Sequence, residues 1–187
     1  MISTADFRKG LTIALDDEVF SIIDFQHVKP GKGGAFVRTK LRNVRTGNVF
    51  DRTFRAGERM ERAILERKQM QFLYPQDDEF VFMDMETYDQ VTLSARDLGE
   101  SAKWLKDALE VNILTHEGRL IGVELPDSVD LVVTATGPAF RGDTVSGGTK
   151  PATMETGAVV QVPLFIAEGD VIRVDTRSGL YLERVSG

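Results

Sequence analysis

Residues 35–42 alternate without a break. Phe36, Arg38, Lys40 and Arg42 fall on one side, and Ala35, Val37, Thr39 and Leu41 on the other. A period of two with opposite chemistries marks a strand that has one face in a core and one in water. The wet face is then a row of cations. Short strand-like runs recur along the chain, at residues 19–25, 49–54, 80–83, 111–125, 131–133, 158–162, 171–174 and 181–185. Lys68, Met70, Phe72 and Tyr74 alternate in the same way with Arg67, Gln69, Gln71 and Leu73. Gly, Pro, Asn and Asp punctuate the runs, at residues 29–34, 46–48, 75–78, 116–119, 168–170 and 177–179. Short strands joined by short turns bury an apolar face by curling the sheet onto itself, so the expected class is all-β, built from small barrels. One helix is expected, over residues 100–109, where Ala102, Leu105 and Leu109 stand at helical spacing with Trp104 beside them.

Charge divides the chain further. The net charge is −6, but residues 1–63 hold 12 Lys and Arg against 8 Asp and Glu. Residues 64–127 hold 6 against 14, and residues 128–187 hold 5 against 7. With Pro126-Asp127 as a break, this reads as three domains: 1–63, 64–127 and 128–187. Five-stranded Greek-key barrels of the oligonucleotide-binding type fit the two later ones. From Phe25 to Phe50 there are six bases (Lys29, Lys32, Arg38, Lys40, Arg42 and Arg45) and no acid. Such segregation suits a polyanionic partner, and it also suits a merely solvated basic face.

Composition removes several functions. There is no cysteine, hence no disulfide, thiolate nucleophile or zinc–thiolate site. Two histidines, His27 and His116, do not make a His-rich cluster, and no metal is expected. No apolar run approaches the ~18 residues of a membrane span. The first residues lack a basic stretch followed by an apolar one, so the expectation is a cytoplasmic protein. No Ser/His/Asp set, dinucleotide fingerprint or paired-carboxylate motif is present, and the residues alone argue against an enzyme.

Lys32 is the singular residue. It lies between Gly31 and Gly33, with Pro30 and Gly34 outside them. Glycines leave the backbone bare, and an ammonium on a long stem at a bare tip reaches into a narrow site. Lysine is also a frequent target of covalent modification. An ordinary exposed hairpin lysine has the same spacing. The stretch from Gly142 to Thr149 looks like a phosphate-cradling loop, but Gly148 stands where the P-loop lysine belongs, which excludes a nucleotide site. Its amides remain suited to a nucleic-acid backbone. Asp77, Asp78, Glu79, Asp84, Glu86 and Asp89 crowd the middle domain without calcium-loop spacing and are expected to form a solvated acidic face. His27 beside the basic hairpin is expected to be packed or hydrogen-bonded rather than catalytic.

Three stretches then carry a resemblance along the whole chain. Residues 25–38, with Lys29-Pro30-Gly31-Lys32-Gly33-Gly34 at their centre, resemble the tip loop of the bacterial translation elongation factor P family. Gln71-Phe72-Leu73-Tyr74 leading into Phe82-Met83-Asp84 resembles the start of that family's middle domain. Residues 150–169, preceded by Arg141-Gly142-Asp143-Thr144, are similar to its C-terminal signature.

The resemblance implies an SH3-like first barrel and two oligonucleotide-binding barrels in an L shape the size of a tRNA. It implies a monomeric, non-enzymatic factor that binds the ribosome between the peptidyl and exit sites, beside peptidyl-tRNA, and relieves stalling at consecutive prolines. Lys32 takes the place of the family's modified tip lysine, framed by Pro30, Gly31, Gly33 and Gly34. The family's modifications differ, and this tip is compatible with more than one. No cofactor is implied, but a lysine-modifying enzyme is. Lys29, Arg38, Lys40 and Arg42 are the expected contacts to tRNA phosphates. Arg141, Gly142, Asp143, Thr144, Gly147 and Gly148 are expected to form an RNA-facing loop of the net-acidic third domain. The acidic middle domain, through Asp77 and Asp78, would suit a basic ribosomal protein. A general RNA-binding module on oligonucleotide-binding folds is the competing reading, and an acid/base enzyme using the middle-domain carboxylates is a third.

Overall fold

The computed structural model describes residues 1–138 and 148–187. Three sheets account for most of them. The first contains β1 (Ile2–Ser3), β2 (Thr12–Leu15), β3 (Glu18–Val28), β4 (Phe36–Asn43), β5 (Val49–Arg55) and β6 (Arg59–Arg62), in the order β1-β6-β2-β3-β4-β5. The second contains β7 (Glu66–Gln76), β8 (Glu79–Asp84), β9 (Gln90–Ser94), β10 (Glu110–His116) and β11 (Arg119–Glu124), in the order β11-β10-β7-β8-β9. The third contains β12 (Ser128–Thr136), β13 (Thr149–Met154), β14 (Val159–Pro163), β15 (Val171–Asp175) and β16 (Tyr181–Ser186), in the order β14-β13-β12-β15-β16. The first and third are antiparallel throughout. In the third, the outer strands β14 and β16 approach each other, so the sheet curls toward closure. The all-β expectation therefore holds. By packing, the chain divides into two compact units, residues 1–68 with 113–123 and residues 69–112 with 124–187.

Alternation decides each core. In β4, Val37, Thr39, Leu41 and Asn43 are buried while Arg38, Lys40 and Arg42 are exposed. Val37 and Leu41 join Phe7, Ile13, Phe20, Ile22 and Phe54 in one apolar cluster. Phe7 meets Phe54 edge-on at 5.6 Å between ring centroids, a geometry that aromatic pairs favour. In the second unit, Phe72 and Phe82 are fully buried with centroids 5.5 Å apart. The third sheet packs around Leu131, Val133, Met154, Val160, Ile172 and Val174.

The expected helix over residues 100–109 is not there. A four-residue α-helix, α1 (Ala95–Leu98), comes earlier, and residues 99–104 form a 3-10 turn. Ser94 caps α1 by accepting from the Asp97 amide at 3.1 Å. Gly99, at φ 56° and ψ −133°, then breaks it. The apolar spacing that suggested a helix serves another purpose. Trp104 is 3% exposed and lies in the core of the third sheet, and Leu109 packs against that core. The Lys106 ammonium donates to the Asp130 carbonyl at 2.7 Å, and the Thr156 hydroxyl donates to the Lys103 carbonyl. The segment is a strap over the third sheet rather than a helix.

Asp84 also departs from expectation. It is 5% exposed, and its carboxylate accepts from the Glu86 and Thr87 amides at 2.8 and 3.2 Å. An aspartate that closes its own turn is a structural group and does not belong to the acidic surface. β13 is not among the strand-like runs of the sequence, and it contains Pro151, a residue rarely found inside a sheet. Pro151 sits one residue beyond the last β12–β13 pair, Thr136 with Ala152, where the ladder to β12 has ended.

On the outer face of the third sheet, Arg173 ties three strands together. Its guanidinium donates to both Asp130 oxygens of β12, at 2.8 and 3.2 Å, and to Glu183 of β16. The Arg173 hydrogen bond holds the Asp130 carboxyl below its usual range. A lowered carboxyl pKa stabilises the fold above the unfolded-state value, about 3.9, and the contribution is lost as pH falls through the folded-state value. The pair is partly exposed, which limits its worth to about 1 kcal/mol. Asp130→Asn is therefore expected to lower stability to urea by about that amount at pH 7, with the deficit vanishing as pH falls through the lowered value of the Asp130 carboxyl. A deficit that persisted undiminished in acid would show that the ion pair is not its cause.

Candidate functional site

β3 and β4 pair from Phe20 with Asn43 out to Val28 with Phe36, with one irregularity between Ile22 and Asp24. On the far side, β5 backs β4 over its outer length, from Arg42 with Val49 to Phe36 with Arg55. β2 covers β3 only from Glu18 to Ser21. Beyond Ser21, β3 therefore has β4 as its only strand partner, with Lys9 reaching Asp24 and Phe7 meeting Phe25 beside it, and the ribbon ends in the seven-residue connection 29–35. Every residue from Lys29 to Gly34 is exposed.

The connection needs one of its glycines. Gly33 has φ +101°, a backbone state that residues with a Cβ rarely adopt. A Cβ added at Gly31, Gly33 or Gly34 would meet nothing within 4 Å, so the loop stands clear of the rest of the protein. Pro30 fixes one φ just before it. Lys32 has no ion-pair or hydrogen-bond partner among the described residues. The sequence picked out this lysine, and the fold places it at the bare end of a paired ribbon.

Residues directly opposite on paired strands share a face, so register sorts the expected phosphate contacts. Arg38 lies between Gln26 of β3 and Thr53 of β5, and Arg42 between Ser21 and Val49. Neither is opposite a carboxylate. Lys40 lies between Asp24 and Asp51. Asp24 is ionised by the Lys9 ammonium 3.3 Å away and by the Phe25 amide, which hold its carboxyl below the usual range. The charge of Lys40 is locally offset, and Arg38 and Arg42 carry the net positive field of the face. Arg38 lies 5.8 Å over the Phe36 ring. The sequence reading missed Arg55, which is opposite Phe36 on the same face and close to the tip. Only knowledge of the β4–β5 register could have found it. Lys29 is exposed at the base of the loop.

His27 is exposed and meets Phe25 edge-on at 5.7 Å, without a hydrogen bond among the described residues. Asp77 and Asp78 form the exposed β7–β8 turn. Of the expected RNA-facing loop, Arg141, Gly142, Asp143, Thr144 and Gly147 lie outside the described residues, and Gly148 is half-buried just before β13. No helix among the described residues is long and apolar enough to cross a membrane.

Comparison with known proteins places the chain in a family. Residues 3–60 match the KOW-like domain of elongation factor P, residues 65–123 its OB domain and residues 129–184 its C-terminal domain. Elongation factor P of Pelotomaculum thermopropionicum is 60% identical over 185 residues, covering 99% of this chain and 100% of that one. Elongation factor P of Moorella thermoacetica is 57% identical over 184 residues, covering 98% and 100%. Among solved structures, the translation initiation factor 5A of Methanococcus jannaschii shares the fold with a TM-score of 0.51 at 23% identity, over 64% of this chain and 88% of that one. A family protein of the same initiation factor from Naegleria fowleri has a TM-score of 0.53 at 15% identity, over 66% and 96%. Three consecutive domain matches, together with relatives this similar over their full length, show that the chain belongs to the elongation factor P family of translation factors.

Proposed function

We propose that the protein binds the ribosome between the peptidyl and exit sites and presents Lys32 to the acceptor end of peptidyl-tRNA. There it speeds peptide-bond formation where consecutive prolines stall it. The observation that carries this reading is the bare lysine at the end of the β3–β4 ribbon in a member of this family. On this reading the chemistry belongs to the ribosome and the factor supplies position. Holding reactants in a near-attack geometry can remove several kcal/mol from a barrier. Proline has a locked φ and a constrained ring, which makes its alignment the natural bottleneck. A lysine-modifying enzyme that lengthens the Lys32 side chain would extend the reach of the tip, and the open space around Gly31, Gly33 and Gly34 leaves room for such an enzyme to engage it.

The cationic face of β4 and β5 would bind the tRNA backbone, which attracts Lys and Arg without reading sequence. Because Lys40 is flanked by two carboxylates, Arg38 and Arg42 should matter more. Arg38→Ala and Arg42→Ala are each expected to weaken binding to ribosomes carrying peptidyl-tRNA and to reduce the salt slope of that binding by about 1, with a smaller effect for Lys40→Ala. Equal effects at all three positions would discount the cross-strand pairing.

The reading is tested with protein purified from its own host, so that any modification survives. Synthesis of a peptide with three consecutive prolines is followed in a reconstituted system lacking the factor. Wild type should restore synthesis, and Lys32→Ala should lose most of the effect while keeping the wild-type circular dichroism spectrum. Full activity of Lys32→Ala would refute the role given to the tip. Tight, sequence-blind binding to random RNA at physiological salt, without rescue by either protein, would favour a general RNA-binding module.

A further inference from the structure

The first compact unit holds a second convergence of side chains, far from the tip in sequence. Glu61 on β6, His116 at the end of β10 and Glu117 in the β10–β11 turn each offer one ligand atom, and the three atoms lie within 4.8 Å of one another. Neither carboxylate has an ion-pair or side-chain hydrogen-bond partner among the described residues. Both glutamates lie at the surface, where water screens their repulsion, and a cation between them would remove what is left of it.

His116 is held in a way that favours ligation. Its Nδ1 lies 3.1 Å from the Ile64 carbonyl oxygen. A carbonyl only accepts, so the bond places the proton on Nδ1 and leaves Nε2 of the neutral ring with its lone pair. A backbone carbonyl that fixes the tautomer and tilt of the ring is the usual support of a metal-binding histidine. The surrounding cleft, of about 310 Å³, is lined also by Asp16, Asp17 and Glu18 against one cation, Arg119. Two of these acids are partly satisfied, since Glu18 accepts from the Asn43 amide at 3.1 Å and Asp16 lies 3.7 Å from Arg52. The excess of carboxylates gives the cleft a negative field that draws in cations.

We propose that Glu61, His116 and Glu117 bind a first-row divalent transition-metal ion of the zinc type. One imidazole and two carboxylates make a mixed N/O set, and three protein ligands leave a coordination position for water. The imidazole distinguishes the site from those of magnesium and calcium, which take oxygen ligands. The bound ion would clip the β10–β11 turn to β6. The primary structure hides the site, because the chain has no second histidine near either segment and the fold alone brings Glu61 to His116.

The test is isothermal titration with zinc chloride in chelator-free buffer at neutral pH, with magnesium chloride titrated separately, on the full chain. His116→Ala and Glu61→Gln remove ligands at partly or fully exposed positions, and His27→Ala removes the other histidine as a control. Wild type and His27→Ala should each bind one zinc per chain and no magnesium at the same concentrations. The two ligand variants, folded by circular dichroism, should bind zinc at least tenfold more weakly. Bound cobalt should show the visible absorption of a low-coordinate site in wild type and lose it in His116→Ala. The proposal is overturned if wild type binds no zinc, if His116→Ala or Glu61→Gln binds as wild type does, or if His27→Ala loses as much affinity as His116→Ala.

Discussion

The pairing of β3 with β4 is the constraint on which the first domain and its candidate site both depend. Toward the inner end, the pairing sets Ile22 and Leu41 opposite each other, both fully buried in the core. Toward the outer end, the same ladder continues past the cover of β2 and carries the loop around Lys32 away from the core. A one-residue slip would turn Val37 and Leu41 to water and Arg38 and Arg42 into the core. The burial that stabilises the domain therefore also fixes which side of the ribbon is cationic, and it keeps the tip at the end of a stiff element.

Electrostatics refine that picture. The sequence shows six cations and no acid between Phe25 and Phe50, which suggests a uniform basic surface. In the folded sheet, acids from neighbouring strands enter the pattern. Asp24 and Asp51 flank Lys40, while Arg38 and Arg42 have only neutral neighbours opposite them. The result is a patterned face, with two arginines prominent and Arg55 added near the tip. The acids of the second sheet divide in the same way. Asp77 and Asp78 are exposed in a turn, whereas Asp84 is buried and its Oδ1 accepts from two backbone amides of its own turn.

Features with a short period were legible in the sequence. The alternation of residues 36–42 fixed both the strand and its faces, and the glycines around Lys32 marked the tip. Features that depend on register or on distant contacts were not. The apolar spacing of residues 100–109 read as a helix because Ala102, Leu105 and Leu109 fit that period, yet Trp104 and Leu109 serve the core of the third sheet. The Ser94 cap, which starts α1 before this stretch, and Gly99, which ends it, are weak signals beside that spacing. β13 lacks the apolar run that marked the other strands, and it holds Pro151, whose missing amide is harmless where pairing with β12 has stopped. The convergence of Glu61 with His116 has no local signature at all.

The central claim is that the protein acts by placing Lys32 beside the end of a tRNA. The most direct measurement is a crosslink from the tip. A photoreactive amino acid would replace Gly34, beside the lysine, leaving Lys32 itself intact, and the protein would be bound to ribosomes stalled on consecutive prolines. Irradiation should join the tip to the acceptor end of peptidyl-tRNA, and the product should disappear when the peptidyl site is empty. Crosslinks confined to the body of the tRNA or to ribosomal proteins remote from the reaction centre would contradict the account.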